Sequence, residues 1–255
     1  LEDLQRRGIP LEEVAIIYAR HRQARDLINL LEKKNIPYNT RRRVNILDLP
    51  IIQNIRLLLE YLYVEYQRPH DGEYLLFQVL HFDFLGIEQE DIASLSVHLA
   101  LYDYQERPRW RKVLMDNELL QQLNLRQPER FTRFSELLHT LLSDFRNYTV
   151  PVLVERLFNR SGLLKHVLDQ PNQPWLLQVV KTFFDFVRQE NDRNPRLSVR
   201  RLLDILDSMD ANRLSIEINK TVAAEDGVNL LTAHSSKGLE FRYVYLLDCV
   251  KDFWE

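Results

Sequence analysis

Glycine is scarce in this 255-residue chain, which has 6 glycines where average usage near 7% would give about 18. No two of them stand within five residues of each other. The chain therefore contains neither G-x-G-x-x-G nor G-x-x-x-x-G-K-[ST], the two standard phosphate-binding loops. Beside so few glycines stand 45 leucines, a composition that favours helices and argues against all-β sandwiches and collagen-like repeats.

Cysteine and long apolar runs are also scarce. Cys249 is the only cysteine, which excludes an internal disulfide and a cysteine-based zinc site and fits a reducing compartment. It follows an apolar run, so we expect it to be buried. No apolar run approaches the roughly 18 residues of a membrane span, and no signal peptide precedes the first charged residues. We therefore expect a cytoplasmic protein with no membrane contact and, since the chain starts at Leu1, a piece of something longer.

The start of the chain has the pattern of an α/β domain. The apolar run Val14–Tyr18 predicts a strand that is buried on both faces of a parallel sheet. Helical periodicity follows from Arg25 to Lys34, and Ile36–Tyr38 predicts a short extended piece. The order is thus strand, helix, strand.

The middle of the chain is almost purely helical, and strand character returns after about residue 216 with the apolar runs Val228–Thr232 and Tyr243–Leu247. Asp48 and Pro50 are suited to the cap and first turn of the first helix of this middle part. The simplest account is an α/β fold, a parallel-sheet domain of residues 1–47 and 215–255 that is interrupted by an all-α domain of residues 48–214. Residues 48–216 hold 20 Lys and Arg against 24 Asp and Glu, so the helical part is no general clamp for polyanions.

The sharpest motif is the polar stretch between the last two predicted strands, Thr232-Ala-His-Ser-Ser-Lys-Gly-Leu-Glu-Phe241. Hydroxyls, an imidazole, a lysine and a glycine after a buried strand are what an α/β ligand site offers. The residues alone favour a solvated loop between two strands over such a site.

The pattern T-x-H-x-x-K-G-L-E-F followed by an apolar strand resembles a motor motif of the UvrD/Rep-like superfamily 1 ATP-dependent DNA helicases. Val14–Tyr18, Gln23-Ala24-Arg25 and Asn35–Tyr38 are similar to the entry into that family's second RecA-like domain, called 2A. In the family, a helical domain called 2B interrupts 2A, as the periodicity predicts here.

The resemblance implies roles for seven residues. Thr232 and His234 would contact the backbone of a single DNA strand, and Gly238 and Glu240 would face the nucleotide, with the glutamate towards the ribose hydroxyls. Lys237 is a further candidate on the nucleotide side. Arg20 and His21 are candidates for the DNA side, although the family's Arg-x-Asn is here replaced by Ala19 and His21.

Three other segments are weaker candidates for nucleic-acid binding. Arg41-Arg42-Arg43 is more typical of a solvated turn than of a binding site, and the basic and aromatic stretch Arg107–Lys112 fits a nucleic-acid patch or a loop packed by Trp110. Relatives carry an R-G-I-G turn that contacts duplex DNA, but here Leu85-Gly86-Ile87-Glu88 lacks the arginine and the second glycine. We do not transfer the duplex contact to this turn.

The resemblance thus implies part of an ATP-dependent helicase that translocates on single-stranded DNA and unwinds duplex DNA in repair or recombination. ATP and Mg²⁺ would bind to the full-length parent only, because this chain lacks the phosphate loop, and the chain alone would not hydrolyse ATP. Expected partners are single-stranded and duplex DNA, the first RecA-like domain and a protein that binds the helical insert. The alternative is a non-catalytic helical module that recruits or regulates a DNA motor.

Overall fold

The computed structural model describes residues 1–103, 105–222 and 226–250, with no side chain described for residues 21, 41, 42 and 220–222. The chain divides into two compact units, one of residues 1–44 and 217–255 and one of residues 45–216. We call them the sheet unit and the helical unit.

The sheet unit contains five strands and two α-helices among its described residues. The strands are β1 (Val14–Tyr18), β2 (Tyr38–Asn45), β3 (Glu217–Val222), β4 (Val228–Thr232) and β5 (Tyr243–Leu246). The helices are α1 (Glu2–Arg6) and α2 (Ala24–Lys33).

The two ends of the chain meet in one sheet of order β3-β2-β4-β1-β5. Strand β1 lies between β4 and β5 and is parallel to both, with Tyr18 opposite Thr232 and Ile17 opposite Leu246. Strand β2 is parallel to β4. The predicted α/β fold, with a parallel sheet built from both ends of the chain, is therefore confirmed.

The core of the sheet unit forms where β1 and β4 meet α2. Val14 and Val228 are fully buried, and Ile28 and Leu31 of α2 are at most 5% exposed. Val14, Ile16 and Tyr18 of β1 belong to this core together with Val228 and Leu230 of β4, so alternate residues of each strand pack in the same core as α2.

Strand β2 corrects two predictions. It is eight residues long rather than a short extended piece, and it includes residues 41–43, so the prediction of a solvated turn at this triple arginine is wrong. Strand pairing outweighs the polar composition here, because β2 lies between β3 and β4. The exposed Arg43 forms an ion pair with Glu217 across 3.3 Å.

The helical unit contains ten α-helices among its described residues. They are α3 (Pro50–Gln67), α4 (Glu73–Leu80), α5 (Gln89–Ala100), α6 (Trp110–Leu114), α7 (Asn117–Gln122), α8 (Pro128–Asn147), α9 (Val150–Arg160), α10 (Leu163–Leu168), α11 (Gln173–Arg193) and α12 (Val199–Ala211).

Helix α3 forms the centre of this unit, packing against α4, α8 and α12 with Ile55 and Leu59 fully buried. Pro50 occupies its first turn, as predicted, but the N-cap residue is Leu49 and not Asp48. Asp48 instead ends a 3₁₀ turn, Ile46–Asp48, that Asn45 caps by accepting a hydrogen bond from the Leu47 amide at 3.2 Å.

Buried carboxylates connect different segments of the helical unit. Asp144 of α8 accepts hydrogen bonds from Arg156 Nε at 3.1 Å and from Arg160 Nη1 at 2.9 Å, both from α9. Asp91 of α5 accepts the amides of Arg126 and Gln127, at 2.8 and 2.9 Å, just before α8 begins. Each carboxylate is 2–5% exposed, so these bonds offset the free energy of removing its charge from water.

Among the helices of the described ranges, none combines the length and apolarity that a membrane crossing requires.

We predict that Gly162→Ala destabilises the helical unit more than Gly86→Ala does. Both glycines have a left-handed backbone, with φ of +86° and +64°, which costs other L-residues about 1–2 kcal/mol. A Cβ at Gly162 would also lie 2.9 Å from the Phe84 carbonyl oxygen, whereas at Gly86 it would meet the flexible end of Arg130 at 3.3 Å. Urea unfolding followed by circular dichroism measures the difference, and equal losses would contradict the steric argument.

Candidate functional site

The polar segments that follow β1, β4 and β5 leave the sheet at one edge, because parallel strands end on the same side. The Ala233 amide donates to the Tyr18 carbonyl at 2.9 Å, and the Leu247 amide donates to the Ile17 carbonyl at 2.8 Å. The three segments are therefore anchored to one another where they begin. We call this side of the sheet unit the carboxyl edge.

The turn after β4 is held by two hydroxyl groups. The Thr232 amide donates to Ser235 Oγ at 2.8 Å, the Ser235 amide donates to Thr232 Oγ1 at 3.2 Å, and the two oxygens lie 2.8 Å apart. Ser236 Oγ donates to the Ala233 carbonyl at 2.9 Å. Thr232 therefore shapes the turn, and a ligand would compete with Ser235 for its hydroxyl.

His234 projects from this turn. It is exposed, and no hydrogen bond joins its ring to another described residue. A neutral or protonated imidazole can donate to a phosphate oxygen without reading the base. Because Thr232 and Ser235 fix the backbone on both sides, the ring is presented from an ordered position.

Lys237, Gly238 and Glu240 follow in the same segment. Gly238 has a φ of +81° with no atom within 4 Å of an added Cβ, so its requirement is conformational rather than steric. The side chains of Lys237 and Glu240 are exposed and make no ion pair with the described residues. A carboxylate in this state has all its acceptor sites available for hydroxyl groups.

The segment after β1 brings Arg20 to the carboxyl edge. Its backbone amide donates to Gln23 Oε1 at 2.7 Å, and its exposed guanidinium pairs with no carboxylate of the described residues. His21 opens the 3₁₀ turn His21–Gln23, and its side chain is not among those described. Both residues thus neighbour the Thr232 turn across the β1–β4 pair, which gives Arg20 and His234 a common edge.

Gln23 is a positioning residue that sequence reasoning missed. Its Oε1 holds the Arg20 amide, while its Nε2 donates to Asp248 Oδ2 at 3.2 Å, so one amide joins the segments after β1 and β5. The signal in the sequence was the Gln23-Ala24-Arg25 match, which indicated the family but no role for the glutamine. Arg25, exposed in the first turn of α2, is a further cation at this edge.

Cys249 is exposed, so the prediction that it is buried is wrong. It follows the end of β5, an edge strand whose residues Val244, Tyr245 and Leu246 are about half exposed. Apolar composition indicated burial, but a strand with one neighbour leaves side chains uncovered.

The described residues contain no group of three or more His, Cys, Asp or Glu that could hold a metal ion.

The stretch Arg107–Lys112 is packed through Trp110, as the second of the two predicted alternatives requires, although its residues from Trp110 onward belong to α6 and not to a loop. Arg111 Nη1 lies 2.6 Å from Oε1 of Glu65, whose side chain is 1% exposed, and the Trp110 amide donates to Glu73 at 2.7 Å. The Trp110 ring lies 5.5 Å from that of Phe77. Burial raises the pKa of the Glu73 carboxyl above its ordinary value.

Nearly the whole chain matches one family model. The model described as UvrD-like helicase C-terminal domain matches residues 1–253. The chain belongs to this family. The resemblance on which the motifs were interpreted is therefore confirmed.

Curated relatives agree with this family. The chain is 24% identical over 254 residues to the ATP-dependent DNA helicase Rep of Buchnera aphidicola, covering 95% of this chain and 36% of that protein. It is 22% identical over 263 residues to the exonuclease/helicase protein RexA of Streptococcus pneumoniae, covering 98% and 20%. The chain thus spans about a fifth to a third of these relatives' lengths.

We predict that Arg111→Met destabilises the chain by about 3–5 kcal/mol, because it leaves the Glu65 carboxylate buried without its partner. Arg109→Met is the matched control, since Arg109 is exposed and pairs with no described carboxylate; it should cost less than about 0.5 kcal/mol. Chemical unfolding at neutral pH measures both. Similar small losses in the two variants would show that the Glu65 pair contributes little.

Proposed function

We propose that this chain is the second motor domain of an ATP-dependent DNA helicase, together with its helical insert. In this proposal the carboxyl edge serves two ligands. Arg20, His21, Thr232 and His234 contact the backbone of a single DNA strand, and Lys237, Gly238 and Glu240 contact ATP. The observation that carries the proposal is the T-x-H-x-x-K-G-L-E-F segment of a UvrD-like helicase domain lying exposed at the ends of three parallel strands.

The charges and hydrogen bonds of the edge suit a moving motor. Arg20 is a cation without a carboxylate partner among the described residues, and cations bind backbone phosphates regardless of base sequence. Gln23 ties the Arg20 segment to the segment after β5. This link holds the Arg20 segment in place at the carboxyl edge.

The nucleotide contact would be one wall of a site that is completed in a longer protein. The chain contains no phosphate loop, and phosphoryl transfer needs contacts to the phosphates and to Mg²⁺. We infer that a first RecA-like domain in the parent supplies these groups. ATP and Mg²⁺ are thus cofactors of the parent, which would use hydrolysis to translocate and to unwind duplex DNA in repair or recombination.

The DNA contact predicts that His234→Ala weakens binding of the chain to a fluorescent oligo-dT by about tenfold, the equivalent of one hydrogen bond to a charged group. His139→Ala is the matched control, because His139 is also exposed but lies on α8 of the helical unit. Fluorescence anisotropy at low salt measures both. Equal affinities of the two variants would remove His234 from the DNA site.

The nucleotide contact predicts a selective defect for Glu240→Gln in the full-length parent. A neutral amide accepts ribose hydroxyls more weakly than a carboxylate does, so the KM for ATP should rise while the KM for 2′,3′-dideoxy-ATP stays unchanged. Glu118→Gln, an exposed change on α7, is the control. An unchanged KM of the Glu240→Gln variant for both nucleotides would contradict this assignment. If the unmodified full-length parent neither binds DNA nor hydrolyses ATP in response to DNA, the alternative of a non-catalytic recruiting module is favoured.

A further inference from the structure

A second candidate binding site lies within the helical unit. A pocket of about 340 Å³ opens between the 3₁₀ turn Asp83–Leu85 and helices α8, α9 and α10. Its lining is rich in cationic side chains, which are Arg130, Arg133, Arg160 and Lys165. Asp83 and Asp169 are the carboxylates of the lining, and His166 is its imidazole. The pocket is thus locally basic within a unit that carries more acidic than basic residues.

Three of the four cations of this pocket form no ion pair with a carboxylate of the described residues. Arg133 and Lys165 are exposed and form no ion pair with any described residue. Arg130 uses its Nε to donate to Gln127 at 3.1 Å, which leaves both terminal nitrogens for another acceptor. Arg160 alone is engaged by a carboxylate, the buried Asp144 at 2.9 Å.

The walls of the pocket are held in place before any ligand binds. Asp144 fixes Arg160 through a charged hydrogen bond, and Gly162 places the corner between α9 and α10 so close to the Phe84 carbonyl that a Cβ would lie 2.9 Å from it. Ser161, next to this corner, is 5% exposed. A ligand would therefore meet a preformed cleft and would not have to order it.

The neighbouring surface has the opposite charge. Beyond Gly86 the chain forms a separate cavity that Asp83, Glu88 and Glu90 line. Arg130 lies over Gly86, with Nη1 3.3 Å from the position of an added Cβ, and so stands at the boundary between the acidic and basic surfaces. An anion is thereby directed to the side of α8 and α10.

We propose that this pocket binds a phosphate group. Guanidinium groups match phosphate oxygens through paired N–H donors, and a lysine adds a compact charge. The source is either a phosphodiester of duplex DNA or a free phosphorylated ligand, and the two share this chemistry. The contacts are side-chain cations of α8 and α10, so the proposal does not depend on the turn at Gly86 or on the carboxyl edge.

The experiment compares the double variant Arg133→Gln/Lys165→Gln with the control Arg146→Gln/Arg188→Gln. All four cations are exposed and lack an ion-pair partner among the described residues, so both variants lose the same charge without breaking a contact. The probes are inorganic pyrophosphate, by titration calorimetry, and a short labelled blunt duplex, by anisotropy at several salt concentrations. Urea unfolding checks that each variant is folded. If the double variant of the pocket is not folded, the single variants Arg133→Gln and Lys165→Gln are compared instead.

The pocket variant should lose about tenfold or more in affinity relative to the control, the effect of a lost charge-assisted hydrogen bond. Loss for both probes, with a duplex salt slope that falls by about 1 for each lost phosphate contact, identifies nucleic acid as the source. Loss for pyrophosphate alone identifies a free phosphorylated ligand. If the pocket and control variants bind both probes equally, the pocket is not a phosphate site and the proposal is overturned.

Discussion

The structure depends on the pairing of β1 with β4, which joins residues that are more than 200 positions apart. Ala15 lies opposite Asn229 and Tyr18 opposite Thr232, and most apolar side chains of this pair are buried. Side chains reinforce the pairing at the other end of the strands. Asp226 Oδ1 accepts the Leu11 amide at 2.6 Å, and Asn229 Nδ2 donates to the Glu12 carbonyl at 2.8 Å. The entropy cost of closing a loop rises only logarithmically with the length of the loop. A large helical unit can therefore be inserted in the sequence between the two strands.

Sequence reasoning predicted those helices and strands whose pattern of apolar residues follows directly from how the element is buried. Val14–Tyr18 was predicted with its observed bounds, because a strand buried on both faces is an unbroken apolar run. Val228–Thr232 was also predicted with its observed bounds, although Asn229 interrupts its apolar residues and only Val228 and Leu230 are buried. The middle of the chain was predicted to be helical as a whole, with Pro50 in the first turn of its first helix. The short helices α6, α7 and α10 were not predicted individually, since five or six residues contain too little of a 3.6-residue period to be recognised. Helix α5, of 12 residues, was not predicted individually either.

The site divides in the same way. A resemblance of ten residues picked out the Thr232–Phe241 segment, and the observed strand order places it next to the Arg20 segment. What the sequence could not show is how side chains are used. The Thr232 hydroxyl is shared with Ser235, and Gln23 joins two segments that are 225 residues apart. The triple arginine of β2 and the exposed Cys249 were mispredicted because composition does not reveal which strand has a neighbour.

The exposure of Cys249 provides an experimental handle. It is the chain's single thiol and lies just after Asp248, which Gln23 holds beside the start of the Arg20 segment. A maleimide fluorophore would therefore attach at one defined position, with no background cysteines to remove. The emission of this fluorophore would change when a ligand binds near the carboxyl edge, and the ligand itself would need no label.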